Sequence, residues 1–479
     1  MLKHSRSTTS DLDAVPDYNL PRGSTILVEG NPGSGKTMLS AQFLYDGASR
    51  YSERGMYVSF FENREDFKRN CKSVGLNFEP LETKKRVQIV HCIVMTEAGM
   101  KESIGDIVKS ILAFKPQRLV FDSISSILQV MGHDETRAFL QTIFGKIVRQ
   151  RIITTLLIGE IPYGDGHTSD VASEFFADGI IRLGRSRDGF RTLSILKMRG
   201  ARLGDPNRFF TLEQGFHLIH RPTSAPTQTK LVPWLPIKDG ETVFSSGCED
   251  LDSLLGGGYP KGQYVVLETD PNVPIDVIRL FQFPLAWNFL AQERSLLMLP
   301  TLGAESSEIM KLITQHIPPE SFEGRVRIFE RARRTRWMQM DSEPSYVVST
   351  KADDPLEKTE ELLNQTCLSL MRETGKPVAR LIGFPTLQNI YSGRNDILFR
   401  AIGDAVAQNK YLGNFTLAVT RSDLEITPRI LDIVDWHLQL IERNGCFFVR
   451  VVKPRSTPYY AVDSKLEDGC PMLKLTPMV

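Results

Sequence analysis

Two tandem α/β domains, each a mostly parallel twisted sheet flanked by helices, are what this sequence predicts, and three observations carry that reading. Apolar strand-like runs alternate with helix-like runs, first at TILVE and then near residues 56–61, 118–122 and 153–158, the order that builds a parallel sheet. The chain also repeats itself. Asp11-Leu12-Asp13 matches Asp250-Leu251-Asp252, and Pro21-Arg22-Gly23 matches Pro260-Lys261-Gly262, both at an offset of 239 residues (260 against 21). Between the copies runs RPTSAPTQTKLVPWLPIKDG (221–240), with four prolines and no periodicity, as an inter-domain linker would read. Domains at 1–220 and 244–479 follow, joined by a proline-rich linker at 221–243.

The totals agree. A chain of 479 residues exceeds one ordinary core, and 41% hydrophobic with 24% charged residues is the composition of a folded protein. A net charge of +1 excludes any global pull toward nucleic acid or anionic membrane. No apolar run reaches the roughly 18 residues of a membrane span, and MLKHSRSTTSDLD lacks the apolar stretch of a secretory signal. Six cysteines lie scattered without metal-ligand spacing, which reads as reduced thiols in a cytoplasm.

Chemistry enters at GNPGSGKT, residues 30–37, which fits G-x-x-x-x-G-K-[ST] between a strand and a helix. Gly30, Asn31, Pro32, Gly33, Ser34 and Gly35 form a loop whose backbone N–H groups curl around phosphate, beside the positive end of a helix dipole. Lys36 is expected to reach the β- and γ-phosphates, and the Thr37 hydroxyl to ligate Mg²⁺. Arg118-Leu119-Val120-Phe121-Asp122 is an apolar strand ending in a carboxylate, the form of a second magnesium anchor; a capping aspartate is the competing reading. The strand at 56–61 delivers Glu62 at its carboxyl end, where such sheets place ligands, so Glu62 is the candidate general base for water. A surface glutamate opening the next helix is its alternative.

These residues resemble the KaiC-like branch of RecA-type ATPases. The resemblance rests on PRGSTILVEGNPGSGKT, QFLYDGA, YVSFFEN, VFDS and LSILKMRGAR. It implies two tandem RecA-like domains, ATP with Mg²⁺ as the bound nucleotide, and a homo-oligomer, a hexameric ring with nucleotide held between neighbours. It further implies that Lys197 and Arg199 are fingers inserted into the adjacent subunit's site, where added cations neutralise developing phosphate charge; an exposed strand end is the alternative. Relatives carry adjacent glutamates where this chain has Phe61-Glu62, so the expected ATPase is slow.

The second copy departs further. At offset 239 the loop becomes Thr269-Asp270-Pro271-Asn272-Val273-Pro274-Ile275-Asp276. All three glycines are lost, Lys36 corresponds to Ile275, Thr37 to Asp276, and a proline replaces Gly35 and its N–H. The counterpart of Asp122 is expected at Phe384. The relatives' phosphoacceptor pair is missing from the matching stretch Leu431–Asp435, while Lys453 and Arg455 repeat Lys197 and Arg199. A pseudo-ATPase domain is expected. Arg325, Arg327, Arg331, Arg333, Arg334 and Arg336 cluster beside Trp337; a surface for a protein partner is favoured over nucleic acid. That arginine-rich stretch also resembles, weakly, archaeal gas-vesicle regulators of the GvpD type. The expected function is a nucleotide-gated regulatory or signalling ATPase acting through protein partners. A DNA-binding recombination or repair ATPase is the alternative.

Overall fold

The computed structural model describes residues 20–60, 62–92, 97–131, 140–141, 143, 148–161, 177–200, 206–221, 232–301, 304–331, 344–351, 354–391, 393–467 and 470–478. Two compact units divide the chain, one through His220 and the other Arg221–Pro477.

In the first unit, β1 (Thr25–Gly30), β2 (Gly55–Ser59), β3 (Val87–His91), β4 (Arg118–Asp122), β5 (Thr154–Glu160) and β6 (Gly179–Arg185) run parallel. The strands β7 (Arg191–Met198), β8 (Asn207–Thr211) and β9 (His217–Ile219) extend the sheet antiparallel, giving the order β3-β2-β4-β5-β1-β6-β7-β8-β9. Ile26, Leu27 and Val28 are all buried because hydrophobic layers cover both faces of the sheet. That explains why the central strands read as continuous apolar runs rather than alternating ones. Each such side chain contributes roughly 1.5–3 kcal/mol.

The second unit opens with the short pair β10 (Val243–Phe244) and β11 (Tyr259–Pro260). Seven parallel strands follow: β12 (Tyr264–Thr269), β13 (Ser295–Leu299), β14 (Val326–Arg331), β15 (Val347–Thr350), β16 (Val378–Gly383), β17 (Phe415–Arg421) and β18 (Trp436–Arg443). Antiparallel β19 (Cys446–Lys453), β20 (Tyr460–Glu467) and β21 (Cys470–Pro477) complete the order β15-β14-β13-β16-β17-β12-β18-β19-β20-β21. With β12 set on β1, the two orders coincide strand for strand, and β15 is an additional edge. The repeat seen in the sequence is a repeat of topology.

Residues 232–243, within the proline-rich stretch, are packed onto the second unit. Trp234 is 8% exposed and lies against Trp287, with ring centroids 5.1 Å apart. The fully buried Asn288 accepts from Ile237 N (2.8 Å) and Trp234 Nε1 (3.3 Å) and donates to Ile237 O (3.1 Å). Among the described residues no helix is long and apolar enough to cross a membrane, and all six cysteines are free and buried.

Replacing Asn288 by Ala leaves the Ile237 and Trp234 donors unmet. The loss is expected to be on the order of 2 kcal/mol, read as a lower urea midpoint for the second unit's transition in the full chain.

Candidate nucleotide site

Strand β1 ends at Gly30, and helix α1 (Lys36–Arg50) begins six residues later. The loop between them is shaped by its glycines. A Cβ on Gly30 would sit 2.4 Å from Leu183 O on β6, so no other residue lets the chain turn there. Gly33 and Gly35 have φ of 74° and 103°, left-handed values that open the backbone N–H groups inward. Asn31 Nδ2 donates to Ile161 O (3.0 Å), tying the loop to the end of β5, and Arg191 Nη1 donates to Gly33 O (3.0 Å) from β7. Lys36 is 6% exposed and its Nζ closes the loop on Gly30 O (2.9 Å) and Asn31 O (3.0 Å). Burial lowers its pKa, with Glu160 and Asp122 opposing. The Ser34 hydroxyl is buried and makes no hydrogen bond. A phosphate fits this arrangement, since it brings acceptor oxygens to an orphan hydroxyl, a buried ammonium and an inward-turned backbone.

The carboxylates gather at the carboxyl edge of the same sheet. Asp122 ends β4, where Oδ2 accepts from Thr37 Oγ1 (3.0 Å) and Tyr57 OH (2.5 Å). Burial pushes its pKa up, against the pull of those two hydrogen bonds and Lys36. The structure thus brings the two expected magnesium residues, Thr37 and Asp122, into contact. Among the described residues no group of three His, Cys, Asp or Glu side chains forms a preassembled metal site. Magnesium suits that, because it takes one or two protein ligands together with phosphate oxygens and water.

Glu62 lies three residues past Ser59, whose register partner is Asp122. Its backbone is locked by paired bonds to Ser59 (Ser59 Oγ to Glu62 O, 2.7 Å; Glu62 N to Ser59 Oγ, 3.0 Å). Asn70 Nδ2 donates to its Oε1 at 2.7 Å. Burial raises its pKa and Asp122 adds to the rise, the direction a base needs to hold a proton near neutrality. Phe61 lies outside the described residues. Two neighbours escaped the sequence reading. Glu160, at the end of β5, is the register partner of Gly30, and Tyr57 is fully buried with its hydroxyl on Asp122. An acidic strand end such as TTLLIGE was visible in the sequence, but its place beside the loop was not.

Lys197 and Arg199 are elsewhere. Met198 pairs with Gly179, and Gly179 with Ile26, so this end of β7 lies about 13 Å along the sheet from Gly30. Arg199 lies 3.7 Å from Asp178, whose Oδ2 accepts from Thr25 N at the opposite end of β1 from the loop. These two cations are therefore not part of the loop of their own chain.

In the second unit the sheet register corrects one expectation. Thr25 pairs with Thr155 and Tyr264 with Thr416, so Asp122, opposite Ile158, corresponds to Gly383, opposite Val419, and not to Phe384. The difference arises because helix Phe384–Ile390 begins immediately at the strand end. A Cβ on Gly383 would fall 2.7 Å from Thr301 Cα, which leaves no room for a carboxylate. Asp270, at the loop position, accepts from Glu442 N (3.1 Å) and Arg443 Nη1 (2.9 Å). Arg421 stands where the first unit has Glu160. Lys453 donates to Leu431 O within its own unit. Of the arginine cluster, Arg325 ends helix Pro319–Arg325 and Arg327 and Arg331 lie on β14; Arg333, Arg334 and Arg336 lie outside the described residues.

A family model described as "ATPase: KaiC" matches residues 6–220. The circadian clock oscillator protein KaiC of Thermostichus vulcanus is 28% identical over 268 residues, 53% of this chain and 49% of that protein. The chain thus spans about half the length of that relative. Protein GvpD1 of Halobacterium salinarum is 23% identical across 95% of this chain and 94% of its own. A solved KaiC-like protein from Pyrococcus horikoshii OT3 aligns over 42% of this chain and 91% of its own, at 30% identity and a TM-score of 0.38. The loop, the strand order and the family match agree that residues 6–220 hold a KaiC-like, RecA-type P-loop domain.

Proposed function

We propose that this protein is a cytoplasmic, nucleotide-gated regulatory assembly. Its first unit binds Mg-ATP and hydrolyses it slowly; its second unit is a pseudo-ATPase kept for assembly and for contact with a protein partner. The observation that carries the reading is the asymmetry between two sheets of identical strand order. One sheet gathers a glycine loop, Lys36, Thr37 and Asp122; the other puts Ile275, Asp276 and Gly383 in place of the last three.

In this reading, Lys36 and the loop N–H groups hold the β- and γ-phosphates, and Thr37 and Asp122 hold Mg²⁺, which supplies charge neutralisation on the phosphate oxygens. Glu62 accepts the proton of the attacking water. The position of Lys197 and Arg199, remote from their own loop, supports a role in the neighbouring subunit's site of a homo-oligomeric ring. The near-complete span of the similarity to Protein GvpD1 supports a two-unit layout.

Oligomeric mass with and without Mg-ATP tests the proposal. Wild type is expected to assemble with one nucleotide per chain, and Lys36→Ala to bind none. Two nucleotides per chain, or tight DNA binding with DNA-stimulated turnover, would overturn it.

Two site predictions follow from the pKa directions. Because the folded-state pKa of Glu62 is raised, turnover should fall as pH drops through a midpoint above the ordinary glutamate value. Glu62→Gln should abolish that limb while leaving nucleotide affinity in place, checked by steady-state rates and equilibrium binding. Asp122 also has a raised folded pKa, so its contribution to stability is present below its unfolded pKa and lost as pH rises through the folded one. Asp122→Asn should therefore melt at or above wild type at pH 7 without ligand, with the difference shrinking toward pH 4. Its Mg-dependent affinity for ATP should nonetheless drop about tenfold or more.

A mixing experiment tests the trans role. Arg199→Ala should cut turnover about 1000-fold or more without loss of nucleotide binding. Rings mixed from Arg199→Ala and Lys36→Ala chains should recover activity that neither parent shows.

A further inference from the structure

The second unit buries a cation that pairs with no carboxylate among the described residues. Arg380, in the middle of β16, is 7% exposed. Its Nε donates to Thr416 Oγ1 (3.1 Å), and its Nη2 to Ala405 O (3.2 Å) and to Asn409 Oδ1. All three acceptors are neutral. Its Nη1 makes no hydrogen bond, and among the described residues no Asp or Glu pairs with it. Burial pulls its pKa down, with only Cys367 and Tyr264 opposing. The first unit shows how a buried arginine is ordinarily accommodated. Arg118, 1% exposed, donates to Glu53 Oε2 at 2.6 Å and to Phe43 O at 2.8 Å. A buried guanidinium left without a counter-charge is costly, and an anion that reached it would be held strongly.

Space for such an anion is present. Arg380 lies on the wall shared by two cavities, of about 80 Å³ and about 450 Å³. The smaller is lined by Glu360, whose pKa is raised by burial and then by Asp404 and Glu357, so that side repels an anion. The larger opens between helices Leu356–Thr374 and Asn395–Leu412 and has no acidic side chain in its lining. Its walls are apolar at Leu368 and Leu412, and Asn364 and Gln408 bring amides to its lining. Leu368 and Tyr411 are exposed at 38% and 89%, an apolar rim on an open groove.

The geometry points to a ligand site for a small amphiphilic carboxylate, its acid group on Arg380 Nη1 and its apolar body along Leu368 and Leu412. The charged N–H donors left on Nη1 match a carboxylate oxygen, and the apolar walls with few polar groups match a short hydrocarbon chain. This site lies on the helix-covered side of the sheet, apart from the loop at Asp270, and does not depend on nucleotide binding by the first unit.

Octanoate, with octanol as its uncharged counterpart, tests the site on the full chain by thermal shift and titration calorimetry. Octanoate is expected to bind saturably and to raise the melting point, and octanol to bind at least about tenfold more weakly. Arg380→Met should lose at least about tenfold in octanoate affinity. Because that change alters a buried charge, Ala407→Trp serves as a second variant. Ala407 is exposed on the groove wall, and the bulky ring should close the groove while leaving Arg380 in place, again abolishing binding. No octanoate binding to wild type, equal binding of octanol, or binding unchanged in both variants would each overturn the assignment.

Discussion

The site depends on one constraint, the parallel register of β4, β5 and β1. Parallel strands bring their carboxyl ends to one edge, so Gly30, Glu160 and Asp122 emerge together although their residues are far apart in the chain. With β5 inserted between them, the loop strand and the Asp122 strand stand about 10 Å apart. That gap is too wide for a direct bond from Asp122 to the loop's own end. Helix α1 closes it, because its first turn carries Thr37 back across β5 to within 3.0 Å of Asp122. Any change of strand order would separate the glycine loop from Asp122.

The second sheet keeps this order without the glycine loop, the lysine or the strand-end carboxylate. Its apolar layers, centred on β12, β13, β16 and β17, are buried on both faces as in the first unit. None of that packing needs a glycine loop or a lysine. The replacements are themselves mutually consistent. Gly383 is pressed against Thr301, and Asp270 is neutralised by Arg443 rather than left to face a ligand. A lysine placed alone at Ile275 would therefore meet a loop already closed by other contacts.

The two units also differ in how they treat buried charge. Arg118 sits in a paired, hydrogen-bonded setting, and Gly47 makes the room for it, since a Cβ there would fall 2.5 Å from the Arg118 side chain. Arg380 has neutral partners and an adjoining cavity. The first is a closed structural contact, while the second leaves donor capacity facing open space. Such a difference arises from which helix covers each strand, and strand sequence alone does not express it.

By itself the sequence determined everything that depends on near neighbours: the glycine loop between strand and helix, the α/β alternation, the duplication at a fixed offset, and the loss of Lys36 and Thr37 from the second copy. Those features follow from backbone freedom at glycine and from hydrophobic periodicity, both of which act over a few residues. Tertiary structure alone decided the rest. It set Glu160 beside Gly30 and Tyr57 on Asp122, and it made Gly383 the counterpart of Asp122. It carried Lys197 and Arg199 to the far end of the sheet, and it drew Trp234 out of a proline-rich stretch into a core. For Glu160, Tyr57 and Gly383 the deciding contact joins residues brought together by strand crossovers, whose order emerges only when long apolar surfaces find their common packing.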